Sequence, residues 1–132
     1  MTPEELVEEA TKAKELSYSP YSHFAVGAAL LCKDGRVYHG ANVENSSYGL
    51  SMCAERNALY HALMEGESPD DFEALALIGD TDEPISPCGA CRQVLSEFFS
   101  KGTPIYMASA SGQIYESNIE DLLPYAFEGD VL

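Results

Sequence analysis

Two short stretches hold residues whose types and spacing could do chemistry: Ser51 to Asn57 (S-M-C-A-E-R-N) and Ser86 to Arg92 (S-P-C-G-A-C-R). Cys53, Cys88 and Cys91 offer three soft thiolate ligands, and Glu55 adds a carboxylate beside the first. Three protein ligands leave a tetrahedral Zn2+ with one open position for water, the arrangement of a catalytic site; a structural site is closed by four. Zinc lowers the pKa of that water toward ~7, and a carboxylate within hydrogen-bond distance can carry its proton. Glu55 is the candidate for this shuttle. Two positions from Cys53 on a helix, its side chain points away from that thiol and is not simply a further ligand. The remaining cysteine, Cys32, lies far upstream with no partner spacing of its own.

These residues need elements that bring them together. Ser86 followed by Pro87 reads as an N-cap with Pro at the first helical position, predicting a helix from Pro87 to about Phe99 that ends at Lys101-Gly102. It carries Cys88 and Cys91 on one face of its first turns. Ser51 reads as the N-cap of a second helix over Cys53 to Met64, with Leu59 and Leu63 on its apolar stripe. Both helix starts aim partial positive charge at the cysteines and favour the thiolate that a metal needs.

The rest of the chain supplies the frame. Thr2-Pro3-Glu4-Glu5 has the form of a capping box, and Leu6, Ala10, Ala13 and Leu16 recur at helical spacing, so a first helix is expected to end near Ser17. Pro20 forbids its continuation. Apolar runs over Ala25 to Cys32 and Arg36 to Val43 flank Asp34-Gly35, a hairpin signal. The small Gly27, Ala28 and Ala29 suggest an element packed closely on the first run. Phe72 to Ile78 is a nearly continuous apolar stretch, as in a buried parallel strand. Pro104 to Ser109 and Gln113 to Glu116, joined by Ser111-Gly112, form an antiparallel pair. This order gives an α/β fold, a three-layer α/β/α sandwich around a mixed five-stranded sheet, with residues 1–132 as one domain. The metal sits where strand ends meet helix starts.

Asn42 and Glu44 stand two apart at the end of the second strand and project to the same side. By themselves they fit a turn or capping role better than a binding role. Three thiolates with Zn2+ sum to minus one, which weakens the metal as a Lewis acid. Arg56, three after Cys53, and Arg92, directly after Cys91, could each donate to sulfur and withdraw charge; Arg56 is the favoured candidate.

With 7 basic against 22 acidic residues the formal net charge is -15, which argues against a polyanionic substrate and leaves no basic footprint for nucleic acid. The first residues lack the basic and apolar blocks of a signal peptide, and no apolar run approaches the ~20 residues of a membrane span. A cytoplasmic protein without a membrane partner is expected. In a reducing compartment, cysteines serve metals or catalysis more often than disulfides. The tail from Ile119 to Phe127 holds Leu122, Leu123, Tyr125 and Phe127, more apolar surface than a monomer readily exposes.

The sequence resembles the zinc-dependent deaminases of nucleosides and bases, and within them the small cytidine deaminases. The wider signature, His or Cys then x-E, followed by P-C-x-x-C, reads here as Cys53-Ala54-Glu55 and Pro87-Cys88-Gly89-Ala90-Cys91. The likeness extends through Tyr21-Ser22-His23-Phe24, Val26 to Leu30, Asn42-Val43-Glu44-Asn45, Ser47 to Leu50, Arg92 to Leu95 and Leu122-Leu123-Pro124. It implies zinc-dependent hydrolytic deamination of cytidine and deoxycytidine to uridine and deoxyuridine with release of ammonia, as in pyrimidine salvage, with one Zn2+ per subunit. It further implies that Asn42 and Glu44 bind the ribose 3′-hydroxyl, that Phe24 walls the pyrimidine, and that Ala54 and the Ser86 to Cys88 backbone contact the base. Such proteins are homotetramers with shared active sites, so the resemblance places Phe127 over a neighbouring subunit's base and Tyr48 near a subunit boundary. Three other readings compete. A structural zinc module needs a fourth ligand, with Cys32, His23, His39 and His61 as candidates. A non-catalytic nucleoside-binding protein keeps Asn42 and Glu44 but needs neither Glu55 nor metal. A deaminase of another base or of a nucleotide is the third.

Overall fold

A computed structural model describes residues 1–127. Its first helix, α1 (Pro3–Lys14), begins at the expected capping box: Glu5 N donates to Thr2 Oγ1 and Thr2 N to Glu5 Oε1, both at 3.1 Å. Leu6, Ala10 and Ala13 are buried along one stripe. The helix stops before the expected Ser17, and Leu16 is exposed. Turn bonds from Leu16 N to Ala13 O and from Ser17 N to Lys14 O carry the helical spacing past the true end, which is why the sequence pattern runs too far.

The hairpin forms as expected from β1 (Val26–Cys32) and β2 (Val37–Ala41), with Gly35 at φ 91° where a side chain would be strained. After it come α2 (Ala54–Met64), β3 (Phe72–Gly79), α3 (Gly89–Phe98), β4 (Ile105–Ser109), β5 (Ile114–Ser117) and the short α4 (Ile119–Leu122). The strand order is β2-β1-β3-β4-β5 in a mixed five-stranded sheet. β3 is parallel to β4 but antiparallel to β1, so the expected parallel strand is parallel on one side only. Burial on both faces, not strand direction, explains its continuous apolar run.

Alternation along the strands divides the core into two layers. Ala28, Leu30, Leu75, Leu77 and Ile105 face α2 and α3, whereas Ala29, Leu31, Ala76, Ile78 and Ala108 face α1. Each fully buried leucine, such as Leu30, Leu59, Leu75 or Leu95, stabilises the fold by roughly 1.5–3 kcal/mol relative to exposure. Close packing depends on missing side chains at two points. A Cβ on Gly27 would lie 2.0 Å from Ala10 O, and one on Gly40 would lie 2.3 Å from both Ala54 O and Ala58 N. The second contact sets the first turn of α2 directly against the end of β2, and so brings one chemically active stretch beside the strand end that carries Asn42.

Candidate active site

The serines expected to cap α2 and α3 do not do so. The N-cap residues are Cys53 (φ -76°, ψ 155°) and Cys88 (φ -67°, ψ 167°), both extended. Ser51 Oγ is engaged by Asn45 N at 3.0 Å, and Met52 pairs with Val43 in an antiparallel bridge that keeps the chain extended up to Cys53. Ser86 Oγ accepts from Arg92 Nη2 at 3.2 Å. The thiols therefore stand where a capping oxygen would stand, facing the open N–H groups and positive ends of two helices. Cys91 follows in the first turn of α3 and is wholly buried.

The three sulfurs lie within 4.8 Å of one another, with Cys53 Sγ and Cys88 Sγ 3.8 Å apart. Thiolates about 2.3 Å from a tetrahedral zinc sit about 3.8 Å from each other, so the donor set fits that ion. No other His, Cys, Asp or Glu joins the cluster among the described residues. His39 Nε2 faces Glu9 Oε1 at 3.0 Å, and His61 Nδ1 lies 3.3 Å from His39 O. Cys32 is buried in the core under α2, where burial pushes its thiol up to about 12. The ligand set thus stays at three and the closed structural site lacks its fourth member.

Electrostatics in the cluster are uneven. A hydrogen bond from the Cys91 thiol holds Cys53 down at about 5, with help from Arg56, whose Nη2 stands 3.3 Å from Cys53 Sγ. Donation to Cys53, together with burial, pushes Cys91 up. Arg92 has a different role: Nε donates to Pro87 O at 2.7 Å and Nη1 to Leu122 O at 2.8 Å, clamping the loop before α3 to the end of α4. Of the two arginines, the structure sets Arg56 on sulfur. Glu55 is 4% exposed, and burial pushes its carboxyl up to about 7, a value suited to taking and returning a proton near neutrality.

A cavity of about 510 Å³ opens over the cluster, and its walls bring Cys53, Ala54, Glu55 and Cys88 together with Phe24 and Asn42. Pro84 and Ile85 line it too and were not singled out in the sequence. Ile85 reaches the wall because Gly79, the glycine closing an otherwise apolar strand, leaves a gap: a Cβ there would lie 2.9 Å from Phe24 Cζ and 3.2 Å from Ile85 Cγ2. Phe24 and Ile85 converge on that gap.

Asn42 is more heavily engaged than its position suggested. Its Oδ1 accepts from Val26 N at 2.9 Å and from Ser17 Oγ at 2.5 Å, while Nδ2 donates to Phe24 O at 2.8 Å. One N–H remains to face a ligand. Glu44 does not line the cavity; its carboxylate accepts from Tyr21 N at 3.1 Å and Ser22 N at 3.0 Å. A bond from the Ser22 hydroxyl, helped by those two, holds the carboxyl below its usual range. Tyr48, 78% exposed in the turn Tyr48–Leu50, and Phe127, 56% exposed, also lie off these walls. Phe127 borders a separate depression beside α3 and α4.

Known proteins share both sequence and fold with this chain. A sequence model of the cytidine and deoxycytidylate deaminase zinc-binding region matches residues 1–107. A cytidine deaminase of Sporosarcina psychrophila is 48% identical over 132 residues, covering 100% of this chain and 96% of its own. One from Halalkalibacterium halodurans is 50% identical over 125 residues, covering 95% and 93%. The crystal structure of cytidine deaminase from Burkholderia pseudomallei superposes with a TM-score of 0.94 at 50% identity, covering 96% of this chain and 100% of that one. With a zinc-binding match over most of its length and relatives of this identity covered over 96% and 93% of their own length, the chain belongs to the cytidine and deoxycytidylate deaminase family.

Proposed function

We propose that this chain deaminates cytidine and deoxycytidine hydrolytically, giving uridine, deoxyuridine and ammonia. The observation that carries the reading is the convergence of Cys53, Cys88 and the buried Glu55 on one cavity with Phe24. The protein holds one zinc through Cys53, Cys88 and Cys91. When bound, zinc supplies an acidified water and polarises the attacked carbon's surroundings. Everything else falls to the chain. Phe24 packs the pyrimidine face, and the remaining Asn42 N–H with the Glu44 carboxylate binds the ribose 3′-hydroxyl. Glu55 takes a proton from the attacking water and gives it to N3 of the base. It then takes the second proton, from the hydroxyl now on C4, and passes it to the amino group as the C4–N bond breaks, leaving a C4 carbonyl and ammonia. Arg56 draws charge from the Cys53 sulfur, offsetting the excess of a three-thiolate set.

We further infer a homotetramer in which Phe127 covers the base in a neighbouring subunit's site; the exposure of Tyr48, Leu50, Tyr125 and Phe127 in the single chain supports burial of this surface against another copy. No described helix is long and apolar enough to cross a membrane, and the protein is read as cytoplasmic. Ammonia release from cytidine by zinc-loaded protein, with metal content measured in parallel, tests the activity; zinc-loaded protein without turnover would reject it. Mixing Glu55→Gln with Phe127→Ala subunits tests the shared site. Hybrids should exceed the summed activity of the parents, and verified hybrids without that gain would reject it.

A further inference from the structure

The hydroxyl of Ser22 occupies a junction in the site. It donates to Glu44 Oε2, and it accepts from Phe24 N at 3.0 Å. A serine hydroxyl has one proton to give and lone pairs to receive, and here both capacities are used on the two residues assigned above to the ribose and the base. The backbone N–H of Ser22 donates to the other carboxylate oxygen, Glu44 Oε1, at 3.0 Å. His23 makes this geometry possible: at φ 56° it folds the chain back in the left-handed region, with its N–H on Ser19 O at 3.0 Å, so that Phe24 N returns to the Ser22 hydroxyl. A bulky residue persists in that conformation only where surrounding bonds hold it. The far side is fixed as well, since Glu44 N donates to Tyr18 O at 2.8 Å and Tyr18 N to Asn42 O at 3.0 Å.

We propose that Ser22 is a positioning residue that locks the Glu44 carboxylate and the Phe24 backbone in one register, so that ribose and base are read at a fixed separation. The proposal rests on the assignment of Glu44 to the ribose and Phe24 to the base. Ser22 itself touches neither metal ligands nor Glu55. Its exposed position leaves room for the extra methyl of threonine, which keeps the hydroxyl.

The test compares zinc-loaded Ser22→Ala, Ser22→Thr and Glu44→Ala on cytidine and on 3′-deoxycytidine, with zinc content and Tm as controls. Ser22→Ala should raise KM for cytidine about 10-fold with kcat little changed, because a charged acceptor loses its orientation rather than its identity. The penalty should shrink on 3′-deoxycytidine, which lacks the hydroxyl being oriented, and Ser22→Thr should restore most of the loss. Equal losses on both substrates, or a threonine variant no better than alanine, would overturn the positioning role while Glu44→Ala still discriminates. If Glu44→Ala fails to discriminate, the ribose assignment itself falls, and the proposal with it. Ser22→Thr and Ser22→Val, alike in shape and differing in the hydroxyl, give the same comparison if Ser22→Ala is unstable.

Discussion

The metal corner and the Asn42 edge of the cavity are built on opposite plans. At the corner, Cys53 and Cys88 cap two helices, and neither side chain makes a capping bond, so the thiols are free for a metal. Glu55 is buried behind them. At the edge, Asn42 uses its amide to tie together Ser17, Phe24 and Val26, and Glu44 ties down the Tyr21–Phe24 turn. The corner keeps chemical groups apart from structural duties, whereas the edge merges them. Substitutions should therefore separate activity from stability at the corner and should damage both at the edge.

The largest effect is expected from Cys91→Ala, which should remove stoichiometric zinc and with it all turnover; full zinc retention would show that another residue completes the site. Next comes Glu55→Gln. Turnover should fall by about 10²–10⁴-fold with zinc retained, and Tm should not drop, because a buried amide costs no more than a buried carboxylate. A lower Tm together with near-normal activity would reverse the comparison. Asn42→Ala should do both kinds of harm: a raised KM for cytidine, and a stability loss of about 1–3 kcal/mol from leaving Val26 N and Phe24 O without their partner. An Asn42→Ala protein as stable as wild type would mean that the edge is not structural. Cys32→Ser should change zinc content least of all, since its thiol lies in the core away from the cluster, and halved zinc by metal analysis would revise the ligand set.

How much of this could be read beforehand follows the same division. The corner was legible because metal chemistry restricts both residue type and spacing, and its ligands lie within two short stretches. Only the caps were misplaced, because Ser-Pro is the commoner start signal and the bridge between Val43 and Met52 cannot be seen locally. The hairpin at Asp34-Gly35, the sheet and the helix order were legible for a similar reason, as turn chemistry and alternation are local. The double duty of Asn42, the cavity walls at Pro84 and Ile85, and the clamp of Arg92 were not. Each depends on partners distant in sequence, as Arg92 and Leu122 show, and no spacing rule reports such an approach. The parallel reading of β3 held toward β4 but not toward β1, since burial on both faces looks the same in either orientation.

That clamp also bears on where the zinc unit can be cut. The match to the zinc-binding region closes at residue 107, after the last of the three cysteines, yet the guanidinium that fastens the Pro87 carbonyl has its other anchor at Leu122 O. A fragment trimmed to the matched stretch would retain every ligand and lose the far anchor, leaving the segment that presents Cys88 tied at one end. A fragment ending just beyond Leu122 would keep it. For truncation or fusion, a piece of this chain that keeps the clamp must therefore run through Leu122, well past the last cysteine.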